Sequence, residues 1–190
     1  MKTTLFCSLL FLLLTAKSQA QAGEYFRVSL TTESISFPFT DFPLKNVGIE
    51  IGSSLTHWSG KHSEQQVWLT AGLFHHKDFT THAYLMASFR QGVVIGQRVG
   101  FHYEAGLGYQ HLFYAPDTYQ FESGRFQPAE SFSKPSLAGK INVQLSYEGL
   151  EQWKPFLGYG GYVTFPFVEG YAPILPNTQF QTGVLFSLNH

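Results

Sequence analysis

Residues 101–115, FHYEAGLGYQHLFYA, decide the fold that this sequence predicts. Aromatic and apolar side chains occupy alternate positions, and His102, Glu104 and Gln110 lie between them. Because successive side chains of a strand point to opposite faces, the pattern predicts a β-strand with one apolar face and one polar face. An unpaired carboxylate among aromatic rings is costly, so Glu104 needs either a catalytic role or polar partners on its own face.

The same two-residue period recurs along the rest of the chain, and with 101–115 it predicts eight strands. The other seven segments are residues 25–31, 47–55, 65–76, 80–95, 136–147, 155–167 and 178–188. Some large side chains fall on the polar faces, where we expect them to fill the interior of a narrow barrel. These are Trp68, Phe74, Tyr84, Met86, Leu112, Phe156, Tyr162 and Leu185.

The composition of the two faces indicates which one is outside. The polar faces carry glycine, amide, hydroxyl and charged residues, whereas the apolar faces are rich in Phe, Tyr, Leu and Val, as a lipid-facing band is. A closed barrel leaves no unpaired sheet edge, which lipid does not tolerate. The sequence therefore predicts an all-β fold, an eight-stranded antiparallel up-and-down transmembrane β-barrel. The predicted lipid face consists of Ile49, Ile51, Leu69, Leu73, Leu85, Phe89, Leu107, Tyr109, Ile141, Val143, Val163, Phe165, Val184 and Phe186.

Length and charge restrict the class of protein further. The chain has 190 residues, enough for one domain, and only 13% of them are charged, against about 25% in an average soluble domain. The formal net charge is -1, without a run of Lys or Arg, so we expect no nucleic-acid partner.

Residues 1–22 have the pattern of a cleaved signal peptide. Lys2 precedes an apolar run at 5–16, and the small residues Ala20 and Ala22 offer alternative cleavage sites. The barrel domain is then expected to span 23–190. Cys7 lies within the signal, so the mature chain has no cysteine for a disulfide or a thiol nucleophile.

The connections between the predicted strands differ in length. Residues 32–45, 115–134 and 168–177 are long and are expected outside the cell together with the short 76–80 connection. Residues 56–63, 96–100 and 148–154 are expected to form periplasmic turns. The aromatic-rich 115–134 loop, with Glu122, Arg125 and Glu130, is a candidate site for a surface partner.

Several segments together resemble a known family. Beside the signal, they are NVGIEIG at 46–52, EAGLGYQH at 104–111 and FQTGVLFSL at 180–188. With these segments the chain resembles the small eight-stranded outer-membrane barrels of the OmpA/OmpX type, and most closely the Bacteroidetes-type "outer membrane protein beta-barrel" family. The resemblance implies a Gram-negative outer-membrane location, contact with membrane lipid and lipopolysaccharide, and recognition by the insertion machinery. Many members end on an aromatic residue, whereas this chain ends Leu188-Asn189-His190, which leaves Phe186 as the nearest aromatic.

The polar face allows two interpretations. Ser88, His102 and Glu104 could form a hydrolase triad, although no G-x-S-x-G motif occurs. Alternatively, the inward polar groups satisfy one another in a lumen network. We favour the network, with the pairs Arg27–Glu50 and Arg90–Glu104 and with Lys140 nearby. Its predicted members are Arg27, Glu50, Arg90, His102, Glu104 and Lys140.

The histidines and tryptophans give weaker signals. His75 and His76 are adjacent and so point to opposite faces, and His57 and His62 belong to a distant turn, so we predict neither a metal site nor a cofactor. Trp58 and Trp153 flank predicted periplasmic turns, where an interfacial position is expected.

The leading functional interpretation is a non-enzymatic outer-membrane barrel with a structural or surface-interaction role and a lumen filled by side chains. An outer-membrane lipid-modifying enzyme, either an acyl hydrolase or an acyl transferase, is the first alternative. A soluble periplasmic ligand-binding barrel is the second, and it would require an apolar lumen.

Overall fold

Ten β-strands account for most of the part of the chain that the computed structural model describes. This part comprises residues 25–37, 46–60, 63–76, 80–96, 98–114, 119–122, 124–128, 133–166 and 174–188. The strands are β1 (Tyr25–Ser34), β2 (Asn46–Ser59), β3 (Ser63–His76), β4 (Thr80–Ile95), β5 (Val99–Tyr114), β6 (Tyr119–Glu122), β7 (Arg125–Pro128), β8 (Ser133–Tyr147), β9 (Trp153–Phe165) and β10 (Leu175–Ser187). The predicted signal peptide lies outside the described residues.

Eight of these strands close into one antiparallel barrel in the order β1-β10-β9-β8-β5-β4-β3-β2. The first strand pairs with the last as well as with its neighbour β2, so no strand of the barrel is left with a free edge. The predicted eight-stranded up-and-down barrel is therefore confirmed. Within the described residues, no helix is long and apolar enough to cross a membrane.

The connections define two ends of the barrel. We call the end with residues 60–62, 96–98 and 148–152 the turn end, and the end with 35–45, 77–79, 115–132 and 166–174 the loop end. The predicted turn at 56–63 is mostly strand, because β2 and β3 continue to within three residues of each other.

The connection predicted as a plain loop at 115–134 contains a second, two-stranded sheet. Strands β6 and β7 pair in antiparallel fashion, with Glu122 opposite Arg125. Gly124 has φ of 80°, a left-handed conformation that glycine adopts without strain and that a tight hairpin turn needs. Glu130, also part of the predicted surface loop, lies outside the described residues.

The exterior of the barrel wall is apolar, with the strand phase that the sequence predicts. Leu107 and Ile141 are 75% and 68% exposed, and ten other members of the predicted lipid face are also exposed. Val184 and Phe186 are half-buried. An exposed apolar surface that surrounds a closed barrel fits contact with lipid rather than with water.

The interior contains the large side chains that interrupt the polar faces. All eight that the sequence places inside are buried, and Trp68 and Leu112 are fully inaccessible. Inward-facing glycines provide the room. A Cβ atom at Gly72 would overlap the ring of Tyr84, and one at Gly92 would overlap the ring of His102. The lumen is therefore packed by the large side chains that lie across these glycines.

A β-bulge changes the phase of β2 near the turn end. The register with β3 shifts between Ser54 and Thr56, so that Ser54 pairs with Trp68 but Thr56 pairs with Val67. The extra residue places His57 opposite the buried Gln66. The centroid of the His57 ring lies 5.4 Å from the centroid of the Tyr25 ring. The bulge thus turns His57 to the inward-facing row, whereas uninterrupted alternation would point it outward.

Candidate functional site

A closed ring of four charged side chains lies in the middle of the lumen. Arg27 on β1 contacts Glu50 on β2 at 3.0 Å and Glu104 on β5 at 2.6 Å. Lys140 on β8 contacts the same two carboxylates, each at 3.2 Å. Each cation therefore bridges both carboxylates, and positive and negative charges alternate around the ring. We call these four residues the charge ring.

Glycines on the polar faces leave room for neutral groups that bond to the charge ring. A Cβ atom at Gly52 would lie 2.9 Å from the Thr70 hydroxyl, and one at Gly72 would overlap the ring of Tyr84. The Thr70 hydroxyl bonds to Arg27, and the Tyr84 hydroxyl bonds to Glu50. The glycines thus allow these partners to reach the charge ring.

Neutral donors complete the coordination of both carboxylates. Glu50 accepts hydrogen bonds from the Tyr84 hydroxyl at 2.8 Å and from the Gln181 amide at 2.6 Å. Glu104 accepts from the Ser88 hydroxyl at 2.8 Å and from the Gln144 amide at 2.9 Å. Because both carboxylates are fully buried, these bonds and the two cations replace the water that each charge has lost.

The guanidinium of Arg27 is held from two further directions. It donates to the Thr70 hydroxyl at 2.9 Å, and it lies 4.9 Å from the ring centroid of Trp68. A guanidinium over an indole ring gains a cation–π interaction, which is stronger when the cation is desolvated. Arg27 therefore connects the charge ring to Trp68, which belongs to an apolar cluster toward the turn end of the lumen.

Arg90 and His102, the other two residues predicted for the lumen network, are buried but lie outside the charge ring. Arg90 lies directly opposite Glu104 in the strand register, yet its hydrogen bonds go to Gln66 at 2.9 Å and Gln144 at 3.1 Å. The expected Arg90–Glu104 pair is thus replaced by Arg27–Glu104, because Arg27 reaches Glu104 across the lumen.

The three residues considered for a hydrolase are not arranged as a catalytic triad. The Ser88 hydroxyl donates directly to Glu104. His102 instead lies 3.5 Å from the Ser146 hydroxyl and 3.6 Å from the Glu64 carboxylate. A triad requires the imidazole between the hydroxyl and the carboxylate, where it can take the proton of the nucleophile. Here the serine and the carboxylate are in contact without the histidine.

Apolar layers cover the charge ring on both sides. Toward the turn end, Trp68, Phe156 and Leu185 pack together, with Tyr25 against them. Toward the loop end lies a second cluster, which consists of Phe74, Tyr84, Met86, Ala138 and Tyr162. The lumen is therefore occupied by side chains above, at and below the charge ring.

A second ionic cluster, which sequence reasoning missed, closes the turn end. Lys154 contacts Glu148 at 2.6 Å and Glu64 at 3.8 Å, and its ammonium lies 4.8 Å from the ring centroid of Tyr25. A signal for it is present in the sequence. Glu148 and Lys154 flank the same short turn, so the hairpin brings them together. Both residues lie just outside the predicted strands at 136–147 and 155–167, where apolar and polar residues alternate.

The histidines and tryptophans lie where their strands direct them. His75 is exposed and His76 is buried, as the predicted opposite faces require. His62 lies outside the described residues. Within the described ranges, no group of three His, Cys, Asp or Glu side chains is placed to hold a metal ion. Trp153 is exposed at the turn end, and its ring contacts that of Phe186 at 4.8 Å.

Comparison with known proteins gives matches to solved structures. No model of a known protein family matches this chain. No curated protein sequence matches it. Neisserial surface protein A (NspA) superposes with a TM-score of 0.62 at 14% identity, over 90% of this chain and 100% of that chain. The outer membrane enzyme PagL superposes with a TM-score of 0.50 at 11% identity, over 86% of this chain and 99% of that chain.

The likeness concerns the fold, because the sequence identities are low. One of the two neighbours is a surface protein and the other an enzyme, so the shared architecture does not decide what this chain does. The more specific resemblance to the Bacteroidetes-type family stays a prediction. The chain therefore has the closed eight-stranded antiparallel β-barrel fold that its sequence predicts, and in this fold it is similar to NspA and to the outer membrane enzyme PagL.

Proposed function

We propose that this protein is a closed outer-membrane barrel that acts structurally or through its outer surface, not as a pore. The observation that carries the proposal is the charge ring between two apolar layers, which fills the cross-section with buried side chains. Eight strands enclose an interior just wide enough for side chains. The polar lumen and apolar outer wall also argue against a soluble ligand-binding barrel, which needs an apolar lumen and a polar outer wall.

The loop end supports a surface role. It carries the three longest connections, whereas the turn end has connections of three to five residues. The β6–β7 sheet extends the ordered structure within the longest connection, and Arg125 at its turn is exposed. A sheet on an otherwise closed barrel offers a surface that a partner outside the cell can reach. Membrane lipid and lipopolysaccharide are the proposed partners of the apolar wall and its rim.

Reconstitution of the purified, folded barrel in planar bilayers tests the closed lumen. We expect no large, steady single-channel currents, because a conducting path would require the charge ring and both apolar layers to move aside. Insertion is established in parallel by a shift in gel mobility between heated and unheated samples, and a general porin serves as the positive control. Steady porin-sized currents from the inserted protein would contradict the proposal.

Trypsin treatment of intact cells tests the orientation. We expect cleavage after Arg125, which is exposed at the loop end, and no cleavage after Arg98, which is exposed in the β4–β5 turn, until the outer membrane is permeabilised. The Arg125→Gln variant, which keeps the barrel intact, should lose the Arg125 fragment alone. Release of an Arg98 fragment from intact cells would mean that the barrel has the opposite orientation.

A further inference from the structure

Glu33 is a buried carboxylate to which the described part of the chain supplies no cation. It is fully inaccessible and lies one residue before the end of β1, at the loop end of the lumen. One of its oxygens, Oε1, accepts a hydrogen bond from the Gln179 amide at 3.0 Å. The other, Oε2, has no hydrogen-bond partner.

Two further oxygen atoms on β10, Oε1 of Gln179 and Oδ1 of Asn177, are also buried without a partner. Glu33 lies directly opposite Gln179. Asn177 is two residues along β10 from Gln179 toward the loop end, on the same inward face, so it is the diagonal neighbour of Glu33. We call Glu33, Asn177 and Gln179 the oxygen cluster.

The orientation of both amides is determined by the hydrogen bonds that they donate. The nitrogen of Gln179 is used by Glu33, and the nitrogen of Asn177 donates to the backbone oxygen of Leu175 at 3.4 Å. The atom that each amide leaves without a partner is therefore its oxygen, which is an acceptor. The oxygen cluster presents acceptors and lacks donors.

Neighbouring groups that could neutralise or solvate Glu33 are already committed elsewhere. Both cations of the charge ring bridge Glu50 and Glu104, and the ring is neutral by itself. The Tyr84 hydroxyl donates to Glu50, and the Tyr162 hydroxyl donates to Gln110. An ionised carboxylate without a counter-charge is very costly in such surroundings.

We propose that the oxygen cluster binds a monovalent hard cation such as Na⁺. Carboxylate and amide oxygens are ligands that hard cations take, and nitrogen or sulfur ligands are not part of this cluster. One carboxylate balances one positive charge, whereas a divalent ion would leave a net charge buried. Since β1 ends one residue after Glu33, the ion reaches the cluster from the loop end.

Urea unfolding of the refolded full-length barrel in detergent tests this site. Na⁺ is titrated against N-methyl-D-glucamine, a cation too large for the cluster, at constant ionic strength. A cation that binds only the folded barrel should raise the folded-to-unfolded ratio about tenfold for each tenfold increase in Na⁺ above its dissociation constant. The Glu33→Gln variant should lose this dependence. The Glu151→Gln variant, altered in an exposed turn, should retain it.

A second measurement uses the unaltered protein and does not depend on a variant that folds. The ²³Na NMR signal should broaden in the presence of the wild-type barrel and narrow again on addition of excess K⁺. The proposal is overturned if the wild-type unfolding midpoint is the same in both cations, or if Glu33→Gln responds to Na⁺ as the wild type does. A response to Ca²⁺ without one to Na⁺ would overturn the monovalent assignment.

Discussion

Replacement of Glu50 by alanine is expected to lower the free energy of unfolding by about 3–5 kcal/mol, the usual cost of removing one partner of a buried ion pair. The change leaves Arg27 and Lys140 with a single carboxylate between them, so the charge ring acquires a net positive charge at a buried site. The donors of Tyr84 and Gln181 lose their common acceptor at the same time. Urea unfolding in detergent or lipid measures the loss.

The double variant separates the interaction energy of the Arg27–Glu50 pair from the effects of removing each side chain. Arg27→Ala alone should cost a similar amount, because it leaves two carboxylates with one lysine. When both Arg27 and Glu50 are replaced, Lys140 and Glu104 remain as a neutral pair at 3.2 Å. The double change should therefore cost less than the sum of the single changes, by about 0.5–3 kcal/mol. Strictly additive losses would show that the two residues do not interact. Glu151→Ala, in the exposed turn, should change stability by no more than about 0.5 kcal/mol.

Leu107→Arg should prevent efficient insertion of the barrel into lipid. Leu107 lies midway along β5, and its side chain is 75% exposed on the apolar wall. An arginine at the bilayer midplane on the lipid face costs about 2–4 kcal/mol. We expect a lower yield of the heat-modifiable folded form in lipid vesicles and a lower free energy of unfolding there. Folding in short-chain detergent should be affected less.

Leu150 provides a matched control for this substitution. It is also an exposed leucine, at 48%, but it lies in the β8–β9 turn, where an arginine stays in water. Leu150→Arg should therefore insert as the wild type does. Equal insertion of the two arginine variants would mean that residue 107 does not face lipid and that the wall has been assigned the wrong phase.

The faces of the strands could be predicted from the sequence because they depend only on alternation along each strand. Trp68 and Tyr162 were predicted inside for this reason, and both are buried there. The bulge at Ser54/Thr56 could not be predicted in this way, because an extra residue leaves no local mark in a segment of small polar residues. The β6–β7 sheet was missed because its strands have only four residues each.

The partners inside the lumen were harder to predict than the faces. Alternation gives the direction of a side chain but not its height in the barrel, which depends on strand tilt and stagger. The expected contact between Arg27 and Glu50 joins adjacent strands and is present at 3.0 Å. The contact between Arg27 and Glu104 joins strands on different sides of the barrel. Hairpin symmetry cannot reveal such a pair. It predicts Glu104 as the partner of Arg90, whereas in the structure Glu104 contacts Arg27.

The charge ring also has a consequence for the order in which the chain can fold. Arg27 and Glu104 are 77 residues apart in sequence, and Glu50 and Lys140 are 90 apart. A sheet that has not yet curled closed cannot bring these groups together, so its four charges must stay hydrated until β1, β2, β5 and β8 face one another. Contacts of such long range form late, after the loop-closure entropy has been overcome. Dehydration of the charges and closure of the sheet are therefore a single cooperative event, and a half-assembled barrel lacks the neutral interior that would let it persist in a membrane.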